Sequence, residues 1–267
     1  MRAALAAVAL LLATQAPARA ADDDAARAQR WHDLAHAIFN NRTVIDQPGW
    51  VSIDAPTRAM DAALVPVTLT LADHKPIRAI YLVVDENPSP VAAHITLGPA
   101  LDPHIITLRI RVDQYTNLHA VAETEDGRLI ASTRFIKAAG GCSAPGSETP
   151  EVALKSAGKM KLRLHLAGDS KVANVAEADL LIRHPNFNGM QMDQATRLYT
   201  PARYLNDIRV AYNGQPVLHL ETDISLAADP AIGFGFKSDG SGTISVDATD
   251  TAHVTWHQDF PLAQHGS

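Results

Sequence analysis

Short apolar runs that alternate with polar residues at period two govern most of the chain and constrain its fold more than any other feature. In the first half they read VPVTLTL (65–71), AIYLVV (79–84), AAHITL (92–97), HIITLRIRV (104–112), LHAVAET (118–124) and LIASTRFIK (129–137). Turn clusters such as ENPSP and EDG separate them. Alternation places every second side chain on one face of a strand, so such runs bury one face and leave the other wet. The pattern predicts an antiparallel sandwich. A second series follows: KLRLHL (161–166), ADLLIRH (178–184), DIRVAY (207–212), PVLHLET (216–222), AIGFGFK (231–237), TISVDAT (243–249) and AHVTWHQD (252–259). Asn213-Gly214 between two of these runs predicts a tight hairpin. The fold expected is mainly β, two antiparallel sandwiches.

Two segments depart from this texture. Residues 22–40 place Trp31, Leu34, Ala35 and Ile38 on one helical face, with Asp22, Asp23 and Asp24 at the favourable N-terminal end, which predicts one N-terminal amphipathic helix. Residues 1–20, MRAALAAVALLLATQAPARA, combine a basic start, a short apolar stretch and small residues at 18 and 20. That is the form of a secretory signal cut after Ala20, and it predicts a periplasmic protein with no membrane insertion. Loss of Arg2 and Arg19 moves the formal charge from −6 to −8, and an acidic chain of this kind is unsuited to nucleic acid. The expected organisation is a signal peptide (1–20), a first domain of helix plus sandwich (21–137), a Gly/Ser/Pro linker (138–158) and a second sandwich (159–267).

The linker holds the one cysteine, Cys142, in Gly140-Gly141-Cys142-Ser143. A single cysteine cannot form a bridge within its own chain. Free cysteines ordinarily behave as small buried hydrophobes, but this Gly- and Pro-rich stretch offers no apolar face, so an accessible thiol is expected. Gly140, Gly141 and Ser143 are read as a flexible arm, with Cys142 as a covalent attachment point reaching roughly 17 Å beyond Lys137. No neighbouring His or Arg promises a lowered thiol pKa, which favours a carrier activated by its partners over a self-contained thiol enzyme. No catalytic residue, metal or cofactor is assigned.

The other candidates are weaker. His32 and His36 stand four apart on the helix, a spacing that zinc uses, without a third ligand motif. His184, in HPNFNGM, reads as a turn or interdomain residue, and Met190 and Met192 as packing residues. Phe234 and Phe236 alternate with Gly233 and Gly235 and are expected in the core.

The run from Asn87 to Cys142, NPSPVAAHITLGPALDPHIITLRIRVDQYTNLHAVAETEDGRLIASTRFIKAAGGC, resembles the SoxY subunit of the thiosulfate-oxidation carrier. The second half is similar to SoxZ through HPNFNGM (184–190), TPARYLNDIRVAYNG (200–214) and AIGFGFK (231–237). The order suggests a SoxY-SoxZ fusion similar to the group associated with quinoprotein dehydrogenases. The resemblance implies immunoglobulin-like sandwiches and a sulfur species, such as one derived from thiosulfate, held on Cys142. It also implies periplasmic c-type cytochromes and sulfur-oxidising enzymes as partners, or a quinoprotein dehydrogenase. Where a SoxY arm ends in a free Gly-Gly tail, Cys142 is followed by Ser143, Ala144, Pro145 and the second half, so this arm would be presented as a bent loop.

Overall fold

The computed structural model describes residues 16–72, 75–146, 148–165, 175–192, 196–238 and 240–262, with side chains left out at 16–22 and 102–104. Most of the proposed signal segment therefore lies outside the described residues. Residues 1–43 form one unit and residues 44–267 another. In the first, α1 runs Ala16–Ile38, and Trp31, Leu34, Ala35 and Ile38 form its less exposed side, as the periodicity predicts. His32 and His36 stack with ring centroids 5.2 Å apart.

The second unit contains β1 (Val44–Asp46), β2 (Val51–Asp54), β3 (Val65–Leu71), β4 (Ile77–Val84), β5 (Val91–Leu97), β6 (Leu101–Ile110), β7 (Thr116–Thr124) and β8 (Leu129–Ile136). A short helix α2 (Pro150–Lys155) leads to β9 (Met160–His165), β10 (Val175–Ile182), β11 (Leu205–Tyr212), β12 (Gln215–Thr222), β13 (Ala231–Lys237), β14 (Gly242–Asp250) and β15 (Thr255–Leu262). They make two sheets, ordered β1-β8-β7-β4-β5-β12-β11-β14-β15 and β2-β3-β6-β13-β10-β9. Pairing is antiparallel except for β1 on β8, which is parallel.

Each half contributes strands to both layers, as the expected antiparallel sandwiches require, but the halves are not two bodies on a linker. Strand β5 pairs with β12, and β6 with β13, so each sheet runs without a break from one half into the other. The apolar faces meet in one buried cluster that includes Leu69, Ile80, Leu82 and Ile106 from the first half and Ile208, Val210, Phe234 and Phe236 from the second. Each such side chain contributes roughly 1.5–3 kcal/mol through removal from water. The Gly-x-Gly of β13 serves this seam. Phe234 and Phe236 face the core, while a Cβ on Gly233 would overlap the Thr107 hydroxyl of β6. Gly98 is the counterpart on the other sheet, where a Cβ would overlap the Pro216 carbonyl. Asn213 (φ 49°) and Gly214 (φ 77°) form the anticipated hairpin turn.

Buried polar groups reinforce the seam. The Asn87 amide donates to Arg111 O and Ser225 Oγ, both at 2.8 Å, and its Oδ1 accepts the Asp113 amide at 2.9 Å. Arg111 N donates to Ser225 O at 2.8 Å. A side chain satisfied in this way fixes the end of β6 against the second half, whereas removing it would orphan several buried groups.

With both sheets shared, the halves should unfold together. In a Trp31→Phe background, Trp50 of the first half and Trp256 of the second serve as separate probes in single-tryptophan variants. Coincident urea midpoints are expected; separate transitions would show two independent domains.

Candidate functional site

Cys142 lies just beyond β8, on a segment clamped from both sides. After β8 the backbone runs beside residues 57–62, with Lys137 N donating to Thr57 O (2.9 Å) and Ala59 N to Lys137 O (3.1 Å). It then turns onto the strand end that Asn87 holds: Gly140 N donates to Asp113 O (2.8 Å) and Gly141 N to Val112 O (2.9 Å). Gly140 has φ +79°, a conformation glycine adopts without strain. A Cβ on Gly141 would overlap the Ala62 carbonyl. Ser143 Oγ closes the turn on Gly140 O at 3.3 Å.

This corrects the expectation of a freely flexible arm. Gly140, Gly141 and Ser143 form a hydrogen-bonded loop, and the glycines are needed for a positive φ and a close approach. Cys142 is fully buried (0 % exposed), so an accessible thiol is also not what the resting loop presents. The apolar and polar cover missing from the linker comes from elsewhere in the chain.

Part of that cover is the HPNFNGM motif. Asn188 Nδ2 donates to Cys142 O at 2.6 Å, while its Oδ1 accepts the Met190 amide at 3.0 Å. Asn186 (φ 42°) donates to Ala227 O at 2.8 Å, and its Oδ1 accepts Leu205 N at 3.0 Å. The Asn186 amide donates to His184 Nδ1 at 3.1 Å, and His184 Nε2 lies 3.5 Å from Asp250 Oδ2, with both residues buried. Burial holds His184 below its ordinary pKa, against the pull of Asn186 and Asp250. His184 is thus a structural anchor of the loop's cover.

Arg111 completes the site. It is 3 % exposed; its Nη1 faces Gly141 O at 3.5 Å and its Nη2 faces Asn186 O at 3.3 Å. Burial lowers the guanidinium pKa, while Cys142 and Asp61 oppose that shift. For Cys142 itself, burial and then the Asp113 carboxylate push the thiol up to about 11, with Arg111 acting the other way. At neutral pH the resting group is a protonated thiol.

The supporting residues Asn87, Arg111, Asp113 and Asn188 escaped assignment from sequence. Arg111 follows the alternation of β6 to the polar face, where solvent would be expected. It is buried because the loop and the 184–191 segment close over it.

Known families match in register with this geometry. The family described as sulfur oxidation protein SoxY matches residues 35–142, ending on Cys142 itself, and the family described as sulphur oxidation protein SoxZ matches residues 164–261. The chain is a fused SoxYZ-like protein. As such it belongs to the sulfur-oxidation carrier family. Among solved structures, the sulfur carrier protein SoxY from Chlorobium limicola f thiosulfatophilum aligns at 26% identity over 44% of this chain and 98% of its own, with a TM-score of 0.37. A superoxide reductase (neelaredoxin) from Ignicoccus hospitalis aligns at 17% identity over 33% of this chain and 79% of its own, TM-score 0.30. The hypothetical protein PH1083 from Pyrococcus horikoshii OT3 aligns at 13% identity over 46% and 96%, TM-score 0.27. With scores this low, the assignment rests on the two family matches. No curated protein matches the chain.

The raised thiol pKa sets a pH dependence. A group whose folded pKa lies above its ordinary 9.0 favours the folded state fully below about pH 9 and loses that contribution as the pH rises toward 11. At about 1.4 kcal/mol per unit of pKa difference, the wild type should lose about 2 kcal/mol more than Cys142→Ser between pH 9 and pH 11, where the titration is still partial at both ends. Parallel stability curves from urea titrations across this range would contradict the burial argument.

Proposed function

We propose that the fused chain is a periplasmic carrier that holds a sulfur species covalently on Cys142 and presents it to partner enzymes. One observation carries this reading. The lone thiol ends the SoxY-matching segment and sits in a short loop held by a few discrete hydrogen bonds, where lifting residues 140–146 would expose it while both sheets stay intact.

The chemistry follows from the thiol. Thiosulfate would add through its terminal sulfur, Cys142-SH plus thiosulfate giving a Cys142 S-thiosulfonate, one proton and two electrons. The S–H bond breaks, an S–S bond forms, and the electrons pass to a c-type cytochrome. In the buried loop the thiol is protonated and shielded, so the resting protein resists adventitious oxidation. In the open loop the thiol regains its ordinary pKa and the thiolate becomes available. Four hydrogen bonds, made by Gly140, Gly141, Asn188 and Arg111, must break, at roughly 0.5–1.5 kcal/mol each, an opening cost that a docked partner can supply. The chain carries the cargo and leaves turnover to the enzymes that load and unload it.

A second reading is favoured by the complete burial of Cys142: a non-covalent docking subunit of a periplasmic quinoprotein dehydrogenase or its cytochrome, in which the thiol has only a packing role.

Intact and peptide-level mass spectrometry separates these readings, after the protein is exposed to thiosulfate and an oxidised c-type cytochrome able to load it. The carrier reading expects a thiosulfonate adduct on the Cys142 peptide, removed by a thiol reductant and absent from Cys142→Ser. A bare thiol throughout, with the Cys142→Ser strain retaining full function in its native host, would establish the docking reading instead.

A further inference from the structure

Beside the Cys142 loop lies a cleft of about 280 Å³, walled by Asp61, Ala63, Leu64, Ala144–Gly146 and part of the 185–191 segment. That is several times the ~30 Å³ share of one water, enough for a tetrahedral anion with some hydration. Two buried side chains line it with polar atoms left over. Arg111 Nε has no hydrogen-bond partner among the described residues, and its two terminal nitrogens have only the long contacts to Gly141 O and Asn186 O. Gln191, 4 % exposed, has an Oε1 that is likewise unpartnered. A half-turn of that amide would place N–H donors at the same point.

The charges in the cleft do not cancel at Arg111. Arg183 is paired with Asp229 and approaches Glu148 at 3.9 Å, so two carboxylates share one guanidinium on that side. Asp61, whose Oδ1 accepts the Ala63 amide at 2.8 Å, acts on Arg111 only at Coulombic range. Among the described residues no carboxylate comes within 4.0 Å of Arg111. A buried guanidinium without an anion is costly, and its planar fork of donors suits an oxoanion. Its Nη1 already touches the carbonyl of Gly141, one residue before Cys142.

We propose that Arg111, assisted by Gln191, forms an oxoanion subsite that takes the sulfonate end of the sulfur chain on Cys142. The identity of this ligand rests on the carrier reading, whereas the site's affinity for oxoanions does not. In the resting loop the subsite tethers the charged end of the cargo, and opening the loop releases it to a partner.

The test uses full-length Cys142→Ser protein, which cannot be loaded, titrated calorimetrically with sodium thiosulfate and separately with sodium sulfate at constant ionic strength set by chloride. Saturable one-site binding is expected, weakened about tenfold or more by Arg111→Gln and several-fold by Gln191→Leu. Absence of saturable binding, or binding that both substitutions leave unchanged, overturns the proposal. Should Arg111→Gln lose its fold by circular dichroism, Gln191→Leu decides alone. Because no covalent step is involved, failure here is separate from failure to load the wild-type thiol.

Discussion

The carbonyls of Val112 and Asp113 accept the amides of Gly141 and Gly140, and the rest of the site is arranged around this two-rung contact. The contact exists because the strand end is held in place: Asn87 binds Arg111 O and the Asp113 amide, and Ser225 of the second half binds both Asn87 and the Arg111 amide. The thiol's burial is therefore a consequence of how the two halves join. An isolated first half would lack Ser225, Asn186 and Asn188, and with them the cover over Arg111 and Cys142.

Fusion into one chain places two demands on the Gly-Gly-Cys segment. It must connect β8 to the second half, and on the carrier reading it must hold a thiol that can be both hidden and shown. Glycine meets both, at Gly140 by adopting a positive φ and at Gly141 by allowing the Ala62 carbonyl to approach. On the same reading these residues would ease the opening of the loop, since few side chains would have to be dislodged. The electrostatics agree with a resting state that is chemically quiet. Burial and Asp113 raise the thiol pKa, and Arg111 only partly offsets them.

The strand content was legible from alternation alone. VPVTLTL matches β3 residue for residue and AIGFGFK matches β13, because period-two patterning reports directly which face is buried. Strands β1, β2 and helix α2 were not foreseen, being too short for a period to register. The joining of the halves was hidden for a different reason: β5, β6, β12 and β13 look alike whether their outer edges meet solvent or one another. At the site, Cys142 and its glycines stood out as local composition. Asn188 and Arg111 did not, since their roles depend on partners 46 and 30 residues away in sequence. The linker's Gly and Pro content suggested mobility, yet these residues serve a defined loop whose cover is long-range.

The central claim is that Cys142 is sheltered at rest and exposed by local opening of its loop, with the sandwich intact. The rate of Cys142 labelling by a small thiol reagent, followed against urea below the unfolding midpoint, reads this directly. Local opening uncovers little surface, so the account expects a labelling rate almost independent of urea until global unfolding takes over. A rate that climbs from the lowest urea concentration with the full slope of global unfolding would mean that the thiol is reached only when the whole fold is lost, and would contradict the account.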